Sequence, residues 1–254
     1  MRRTLLLAAV AGTLAAAAIA QAPKPQAPAA QTPAKQAPAT QAPAAPAAAT
    51  APTPAPQATP AAQPSGGKPN LEQAQKTASE VCLACHGPGG NSVVPANPSL
   101  AGQPAEYITL QLAHFKSGVR VNPIMQGMAS TLDADQMKAI GVYYWQQKPK
   151  PQAAKDAALV AAGQKLFRGG DSASGTPACS ACHLPSGAGV AKNYPRLAGQ
   201  HADYTYAQLK AFKSGERGAD KGGKDVNGTI MATIAQRMTD AQMKAVAEYA
   251  SGLR

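Results

Sequence analysis

Two copies of the pattern Cys-x-x-Cys-His constrain this chain more than any other feature of its sequence. The first copy, CLACH, covers residues 82–86, and the second, CSACH, covers residues 179–183. Two thiols one helical turn apart can both bond to one porphyrin, and the histidine that follows can bind its iron, so the pattern is typical of covalent c-type haem attachment. All four cysteines of the chain lie in these two copies.

A redox disulfide and a four-thiolate zinc site are the alternative interpretations of paired cysteines. Zinc sites built from two such pairs usually separate them by about 15–20 residues, whereas 93 residues lie between Cys85 and Cys179. A thioredoxin-like motif would need a preceding strand and does not explain the histidine after each pair. The pattern therefore predicts two covalently bound haem c groups, attached through Cys82, Cys85, Cys179 and Cys182.

The first 67 residues predict export followed by a tether. Residues 1–20 combine a basic start, an apolar run and a small-residue triplet, which is typical of a secretory signal cleaved after Ala20. An uncleaved membrane anchor is the alternative interpretation, although the run is slightly short for a spanning helix. Residues 21–67 consist almost wholly of Ala, Pro, Gln and Thr, as disordered polyproline-rich linkers do. Because thiols meet haem outside the cytoplasm, we expect a periplasmic protein, tethered to the membrane if the signal is retained.

The rest of the sequence is an internal repeat. NPSLAGQ at residues 97–103 matches YPRLAGQ at residues 194–200, and the sequence FKSG also recurs, all at the 97-residue offset of the cysteines. After an insertion around residues 216–227, the match resumes at an offset of 106. The repeat predicts two tandem domains joined by a linker. The predicted order is domain 1, linker and domain 2, at residues 68–147, 148–155 and 156–254.

Each half of the repeat is predicted to be helical. Polar residues that can cap the start of a helix precede four predicted helices, at Asn70, Asp133, Asp156 and Thr239. A middle helix in each half, at about 105–117 and 202–214, ends at a glycine. No period-two strand pattern competes, so the predicted fold class is all-α, with two cytochrome c-like domains. With only 4% aromatic residues, each protein core would be thin, and a buried porphyrin would supply the missing apolar mass.

Matched methionines are the candidates for the sixth iron ligand. Met125 and Met231 occupy equivalent positions of the repeat, in segments that we predict to be loops able to bring sulfur to the haem. Met128 has no methionine at its equivalent position and is the second candidate in the first domain. Met137 and Met243 also match, but their helical spacing is typical of core packing.

Two histidines outside the motifs have no counterpart in the repeat. His114 aligns with an alanine and His201 with a proline. We expect both to be ordinary surface or half-buried residues. An iron site with two histidine ligands is therefore disfavoured.

The net charge of +11 indicates the class of partner. A positive field favours redox proteins with acidic docking surfaces, or an anionic membrane surface. The insertion at residues 216–227 is rich in Lys and Gly and is a candidate docking element, although a merely solvated loop is favoured. Nucleic-acid binding is not expected, because the chain is exported and lacks interleaved aromatic and basic residues.

The combination of motifs resembles the dihaem cytochrome c4 family, which has two class I cytochrome c domains in tandem. The resemblance rests on the paired C-x-x-C-H motifs, the repeated P-x-L-A-G-Q, the matched methionines and the final helices, and it covers about residues 70–254. It implies domains related by a pseudo-twofold axis, with haem propionates near their interface. It also implies that His86 and Met125 bind one iron and that His183 and Met231 bind the other. The backbone carbonyls of Pro98 and Pro195 would accept hydrogen bonds from the two ligating histidines.

We therefore expect a dihaem electron carrier rather than an enzyme. It would pass electrons from a quinol-oxidising complex or a dehydrogenase toward a terminal oxidase. Met/His ligation fills both axial positions, raises the reduction potential and leaves no position for a substrate. One alternative is a cytochrome subunit of a periplasmic dehydrogenase. The other is a catalytic dihaem protein, such as a peroxidase or a thiosulfate-oxidising enzyme, which would need an open or displaceable sixth site.

Overall fold

A computed structural model describes residues 68–219 and 222–254 of the chain. The predicted signal at residues 1–20 and the predicted tether at residues 21–67 lie outside this part, as do two residues of the insertion. The described part is helical, and its only β-structure is two isolated antiparallel bridges. The all-α fold class is thereby confirmed. None of the described helices is long and apolar enough to cross a membrane.

The first half begins with a continuous helical segment that carries the first Cys motif. A π-helical turn at Ala78–Cys82 joins helix α1 directly to helix α2, so the motif follows without a loop. The five α-helices of this half are α1 (Leu71–Thr77), α2 (Leu83–His86), α3 (Ala105–Ser117), α4 (Pro123–Ser130) and α5 (Ala134–Trp145). Helix α5 packs on α1 and α3, and α4 packs on α3.

The second half repeats this arrangement with one difference near its Cys motif. Its five α-helices are α6 (Ala157–Gly169), α7 (Ser180–His183), α8 (Ala202–Ser214), α9 (Val226–Gln236) and α10 (Asp240–Ser251). Helix α10 packs on α6 and α8, and α8 packs on α9. Here a non-helical segment at residues 170–178 separates the first helix from the motif, because α6 ends at its glycine pair.

The predicted helix boundaries are confirmed by their hydrogen bonds. The Asn70 side chain accepts from the Gln73 amide at 3.0 Å, which caps α1. Asp133 and Thr239 each form a reciprocal capping box with the glutamine three residues later, and they start α5 and α10. Helices α3 and α8 end at left-handed Gly118 and Gly215.

Each half has its own small hydrophobic core. In the first half the buried cluster includes Phe115, Ile140 and Tyr144. In the second half a separate cluster includes Phe167 and Leu209. Both clusters also contain the methionine that the repeat places in the last helix, so the prediction that Met137 and Met243 are core residues is confirmed.

Gly163 fixes the distance between the two helices that close the second half. A Cβ atom at this position would lie 2.0 Å from the Ala245 carbonyl oxygen of α10. Gly163→Ala should therefore push α6 from α10 and lower the free energy of unfolding by about 1–3 kcal/mol, as overpacking does. Gly169→Ala is the matched control in the same helix, because nothing lies within 4 Å of a Cβ there. Denaturant unfolding of the purified protein would measure both, and equal stability of the two variants would contradict the prediction.

Candidate functional site

The first Cys motif holds its histidine in a fixed orientation. Cys82 ends the π-helical turn, and Cys85 and His86 lie on α2. The His86 Nδ1–H donates to the Pro98 carbonyl oxygen at 2.9 Å, so the proton is on Nδ1 and Nε2 has a free lone pair. Burial lowers the pKa of His86, and the hydrogen bond to Pro98 partly opposes this shift. The ring is thus a neutral imidazole, the form that binds a metal ion.

The second motif has the same geometry. His183 Nδ1 donates to the Pro195 carbonyl oxygen at 2.9 Å, and burial lowers the pKa of His183 against the effect of that hydrogen bond. The two proline carbonyls are therefore the histidine acceptors that the family resemblance implied. Because the acceptors follow their histidines by 12 residues in both halves, the loop between them forms in the same way twice.

The four cysteines are unpaired thiols. In each motif the first cysteine is partly buried and the second is exposed. Burial raises the pKa of the Cys82 thiol, and it raises that of Cys179 to about 11. Within the described residues, no three His, Cys, Asp or Glu side chains converge as metal ligands would. The two Cys pairs are therefore separate sites and do not combine into a single thiolate site.

The turn that follows each motif is made by different residues in the two halves. Gly87 has a φ of 73°, and a Cβ there would lie 2.2 Å from the Asn91 carbonyl oxygen. The equivalent residue of the second half is Leu184, with φ 68° and ψ 154°. This backbone region is essentially restricted to glycine and costs about 1–3 kcal/mol for other residues. The second motif is consequently held by a strained turn that the first motif lacks.

The candidate methionine ligands lie on short helices, which corrects the prediction that they lie in loops. Met125 is in α4, whose start is fixed by Pro123 in the first turn and by the Asn122 side chain, which accepts from the Met125 amide at 2.9 Å. Met231 is in α9, which Asp225 caps. Both methionines are partly buried beside their cores, whereas Met128 is 47% exposed.

Apolar side chains are left uncovered around both motifs and both methionines. They are large residues that a protein core would normally bury, and in this structure they face outward. Beside the Cys motifs they are Val81, Leu83 and Leu184, and beside the methionines they are Val121, Ile124, Met128, Val226 and Ile230. In each half, one partly buried and one exposed thiol, an oriented neutral imidazole and nearby exposed apolar side chains fit a covalently attached haem.

A pair of glutamines from the repeated AGQ sequence joins the two halves. Gln103 donates to the Arg196 carbonyl oxygen at 2.7 Å and accepts from the Arg196 amide at 3.0 Å. Gln200 makes the same two bonds with Ser99, both at 2.9 Å. Because Ser99 and Arg196 are themselves equivalent in the repeat, the contact is symmetric. This arrangement supports the pseudo-twofold relation that the resemblance implied.

Two arginines extend this symmetric contact, and the sequence reasoning missed them. Arg120 donates to the Tyr204 hydroxyl and to the Gln208 side chain of the second half, both at 2.9 Å. Arg217 donates to the Tyr107 hydroxyl at 3.0 Å and to the Gln111 side chain at 3.2 Å. Each guanidinium also stacks on the phenylalanine of its own FKSG sequence, Phe115 or Phe212. The matching sequences SGVR and SGER at the same 97-residue offset were the available signal.

The insertion of the second half contributes to this interface. Asp225 is buried, and its carboxylate lies 4.0 Å from His114 Nδ1 of the first half. The expectation that His114 is a surface or half-buried residue is therefore wrong, since the second half leaves only 7% of it exposed. Burial lowers the pKa of His114, Asp225 opposes this shift, and Arg217 and Arg120 add to it.

His201, by contrast, is half-buried as expected. Its Nε2 donates to the Ser92 carbonyl oxygen of the first half at 2.9 Å. The insertion has a mixed character: Arg217 and Asp225 turn inward, whereas Glu216 and Lys224 are exposed. The described part of the insertion is therefore not merely a solvated loop, and its role as a docking element stays a prediction.

Two protein-family models match the two halves separately. The model "Cytochrome c" matches residues 160–253, and the model "Cytochrome C oxidase, cbb3-type, subunit III" matches residues 69–143. Both matches contain the Cys motif and the candidate methionine of their half. The repeat found in the sequence therefore corresponds to two recognisable cytochrome units.

Characterised relatives share the tandem arrangement over most of their length. Cytochrome c4 of Thiocapsa roseopersicina is 43% identical over 76% of this chain and 96% of its own. A "thiosulfate dehydrogenase electron acceptor" of Thiomonas intermedia is 45% identical over 66% of this chain and 76% of its own. The crystal structure of reduced recombinant cytochrome c4 from Pseudomonas stutzeri superposes with a TM-score of 0.67 at 36% identity, over 74% of this chain and all of that one.

Proposed function

The chain belongs to the cytochrome c4 family and carries covalent haem c, and we propose that it transfers electrons in the periplasm between a donor complex and a terminal oxidase. The observation that carries the proposal is the repeated histidine geometry. Two buried, neutral imidazoles are oriented by proline carbonyls at the same distance of 2.9 Å. Two equivalent histidine sites in one chain suit an electron carrier with two redox centres.

The proposed haem sites follow the repeat. We assign the first haem to Cys82, Cys85, His86 and Met125, and the second haem to Cys179, Cys182, His183 and Met231. The cysteines would form the thioether bonds, and the histidine and methionine of each set would bind the iron. We also propose the domain boundaries expected from the repeat, with domain 1 at residues 68–147, the linker at 148–155 and domain 2 at 156–254.

The protein residues set the conditions for electron transfer. The bound haem supplies the one-electron ferric/ferrous couple. His86 and His183 are each oriented by a hydrogen bond to a proline carbonyl, which would hold the imidazole in place for the iron. Methionine sulfur favours the ferrous form, which raises the potential. The symmetric contact through Gln103 and Gln200 joins the two halves and would hold the two haem sites at a fixed separation.

Charge distribution supports acidic redox partners and indicates where they dock. Residues 68–147 carry five basic and five acidic side chains, whereas residues 148–254 carry fifteen basic and eight acidic ones. The linker and the second half therefore provide the positive field that attracts an acidic docking surface. An anionic membrane surface is the second partner that this field would attract.

Thiosulfate dehydrogenase is a specific candidate for the electron donor. The relative from Thiomonas intermedia, which is described as a thiosulfate dehydrogenase electron acceptor, is 45% identical to this chain. This similarity favours a role as electron acceptor of a periplasmic dehydrogenase, in addition to acceptance from a quinol-oxidising complex. The proposed haem sites are the same in both roles, and only the protein that donates the electrons differs.

The experiment that tests the function is a haem count with spectroscopy on the exported, purified protein. We expect two covalent haems that are low-spin in both oxidation states and do not bind carbon monoxide. A haem that is high-spin or binds carbon monoxide would instead indicate a catalytic centre. Rapid mixing with reduced thiosulfate dehydrogenase, at increasing ionic strength, would test the donor: electron transfer should slow with salt, and no transfer at low salt would exclude this donor.

A further inference from the structure

Helix α9, which carries Met231, is hydrogen-bonded at both ends to the loops that flank the second Cys motif. In its first turn, Asn227 Nδ2 donates to Asn193 Oδ1 at 3.1 Å. Directly after its last residue, the Arg237 guanidinium donates to the Gly175 carbonyl oxygen at 2.7 Å. Gly175 precedes the motif at residues 179–183 and Asn193 follows it. The helix is therefore tied to the chain on both sides of His183.

The loop at residues 190–194 contacts the candidate histidine ligand as well as this helix. Val190 and Tyr194 exchange two backbone hydrogen bonds, at 2.9 and 3.2 Å, which give the loop a fixed shape. The Tyr194 ring packs edge-on against the His183 imidazole, with 6.0 Å between the ring centroids and 78° between the planes. Asn193, the residue before, binds α9. One short loop thus links the histidine side of the second site to its methionine side.

The first half lacks these connections. At the repeat offsets of 97 and 106, the counterparts of Asn193, Tyr194 and Arg237 are Ala96, Asn97 and Thr131. The Asn97 side chain donates back to the Cys85 carbonyl oxygen at 3.1 Å, and the Thr131 hydroxyl donates within α4. The loop that contains Gly175 has no counterpart, because the helical segment of the first half continues into its motif. In the described part of the first half, no hydrogen bond joins α4 to residues 68–104.

The other supports of the two methionine helices are equivalent. Helix α4 packs on α3 as α9 packs on α8. Lys116 donates to the Leu132 carbonyl oxygen after α4, and Lys213 donates to the Met238 carbonyl oxygen after α9. A ligand from solution can replace a methionine sulfur only if the helix that carries the methionine moves away from the iron. The two additional hydrogen bonds oppose this movement in the second half alone.

We propose that the first haem site is the one at which a small, neutral nitrogen base can replace the methionine ligand, whereas the bonds made by Asn193 and Arg237 keep Met231 in place at the second. The inference rests on the proposed His/Met ligation. In the exchange the iron–sulfur bond breaks, an iron–nitrogen bond forms, and the iron stays ferric. Because methionine sulfur favours ferrous iron, the exchange belongs to the oxidised protein. Resistance of the reduced protein to carbon monoxide is compatible with it.

Imidazole titrations of the oxidised, full-length protein with both haems attached test the proposal. The readout is the weak sulfur-to-iron absorption band, which is lost when methionine leaves. In Met231→Ala only the first haem has a methionine ligand, and in Met125→Ala only the second has one, so the band reports one haem at a time. We expect the imidazole concentration that removes half of the band to be at least about 2-fold higher for the second haem, since one hydrogen bond contributes about 2- to 10-fold.

The two connections can be removed separately in Met125→Ala. Arg237→Thr and Asn193→Ala each introduce the residue of the first half, and each should lower the half-point for the second haem by about 2- to 10-fold. Thr233→Ala is the matched control, because the Thr233 hydroxyl donates to a carbonyl oxygen within α9 itself, and it should leave the half-point unchanged. Adding Asn227→Ala to Asn193→Ala should have no further effect, since both remove the same bond.

Several outcomes would overturn the proposal. Equal half-points for the two haems, a lower half-point for the second haem, or no displacement at either haem would each contradict it. An unchanged half-point in both Arg237→Thr and Asn193→Ala, or an equal change in Thr233→Ala, would show that these bonds do not hold Met231. If the sulfur-to-iron band is missing from the oxidised wild-type protein before imidazole is added, the proposed methionine ligation itself is wrong, and this case is recognised before the titration.

Discussion

Met231→Ala should leave the second haem covalently attached but make it high-spin and able to bind carbon monoxide. Met231 is the partly buried methionine of α9, and alanine at this position cannot reach the iron. The first haem keeps Met125, so about half of the total haem should respond to carbon monoxide. Loss of the Met231 sulfur should also lower the reduction potential of the second haem, because methionine ligation favours the ferrous state. Absorption spectra with and without carbon monoxide, and a redox titration, measure these effects.

The control is a methionine of the same half that packs in the core. Met243 is 2% exposed, so Met243→Ala should cost about 2–5 kcal/mol of stability while both haems stay low-spin. In the first half, Met125→Ala should repeat the effect of Met231→Ala, and Met128→Ala should leave the spectrum unchanged. An unchanged spectrum in Met231→Ala would reject Met231 as a ligand, and a high-spin haem in Met128→Ala would move the first assignment to Met128.

Replacing Cys179 and Cys182 together with serine should remove one of the two haems and unfold the second half. The protein core of that half is small, and its largest fully buried side chains are Phe167 and Met238. Without a porphyrin, the apolar residues beside Met231 and Leu184 stay exposed, and the remaining buried area is too small to offset the entropy of ordering the chain. Haem-stained gels and hydrogen exchange of α6 to α10 measure the loss.

The same double substitution in the first motif is the control, because it distinguishes the effect of losing a haem from the effect of introducing serine. Cys82→Ser with Cys85→Ser should remove the other haem and spare the exchange protection of α8 and α10, apart from the contacts at the interface. Retention of two covalent haems in either double variant would contradict the attachment sites. A second half that stays protected without its haem would show that its core is sufficient without a porphyrin.

Features that depend on local sequence were predictable. The reciprocal caps at Asp133 and Thr239, and the left-handed glycines after α3 and α8, each depend on a few adjacent residues. The prediction that Met125 lies in a loop is wrong, because Asn122 and Pro123 start a helix there. An asparagine followed by proline in the first turn is also a helix start, so this signal was present in the sequence and was misinterpreted.

Features that depend on contacts between the two halves could not be predicted from local sequence patterns. His114 looks like a residue on an ordinary helix, but it is buried, and the carboxylate of Asp225 from the insertion lies 4.0 Å from its Nδ1. The interface arginines could have been paired by the repeat, yet their partners Tyr204 and Tyr107 lie across the contact.

The symmetric contact between the halves has a consequence for a protein that works at low concentration. Because Gln103 and Gln200 form equivalent bonds, each half offers a self-complementary face, as the subunits of a symmetric dimer do. Two separate subunits would come apart on dilution. The short linker that we propose at residues 148–155 instead keeps the two halves close together, at an effective local concentration on the order of millimolar. The pair of redox centres therefore stays assembled however few copies of the chain are present.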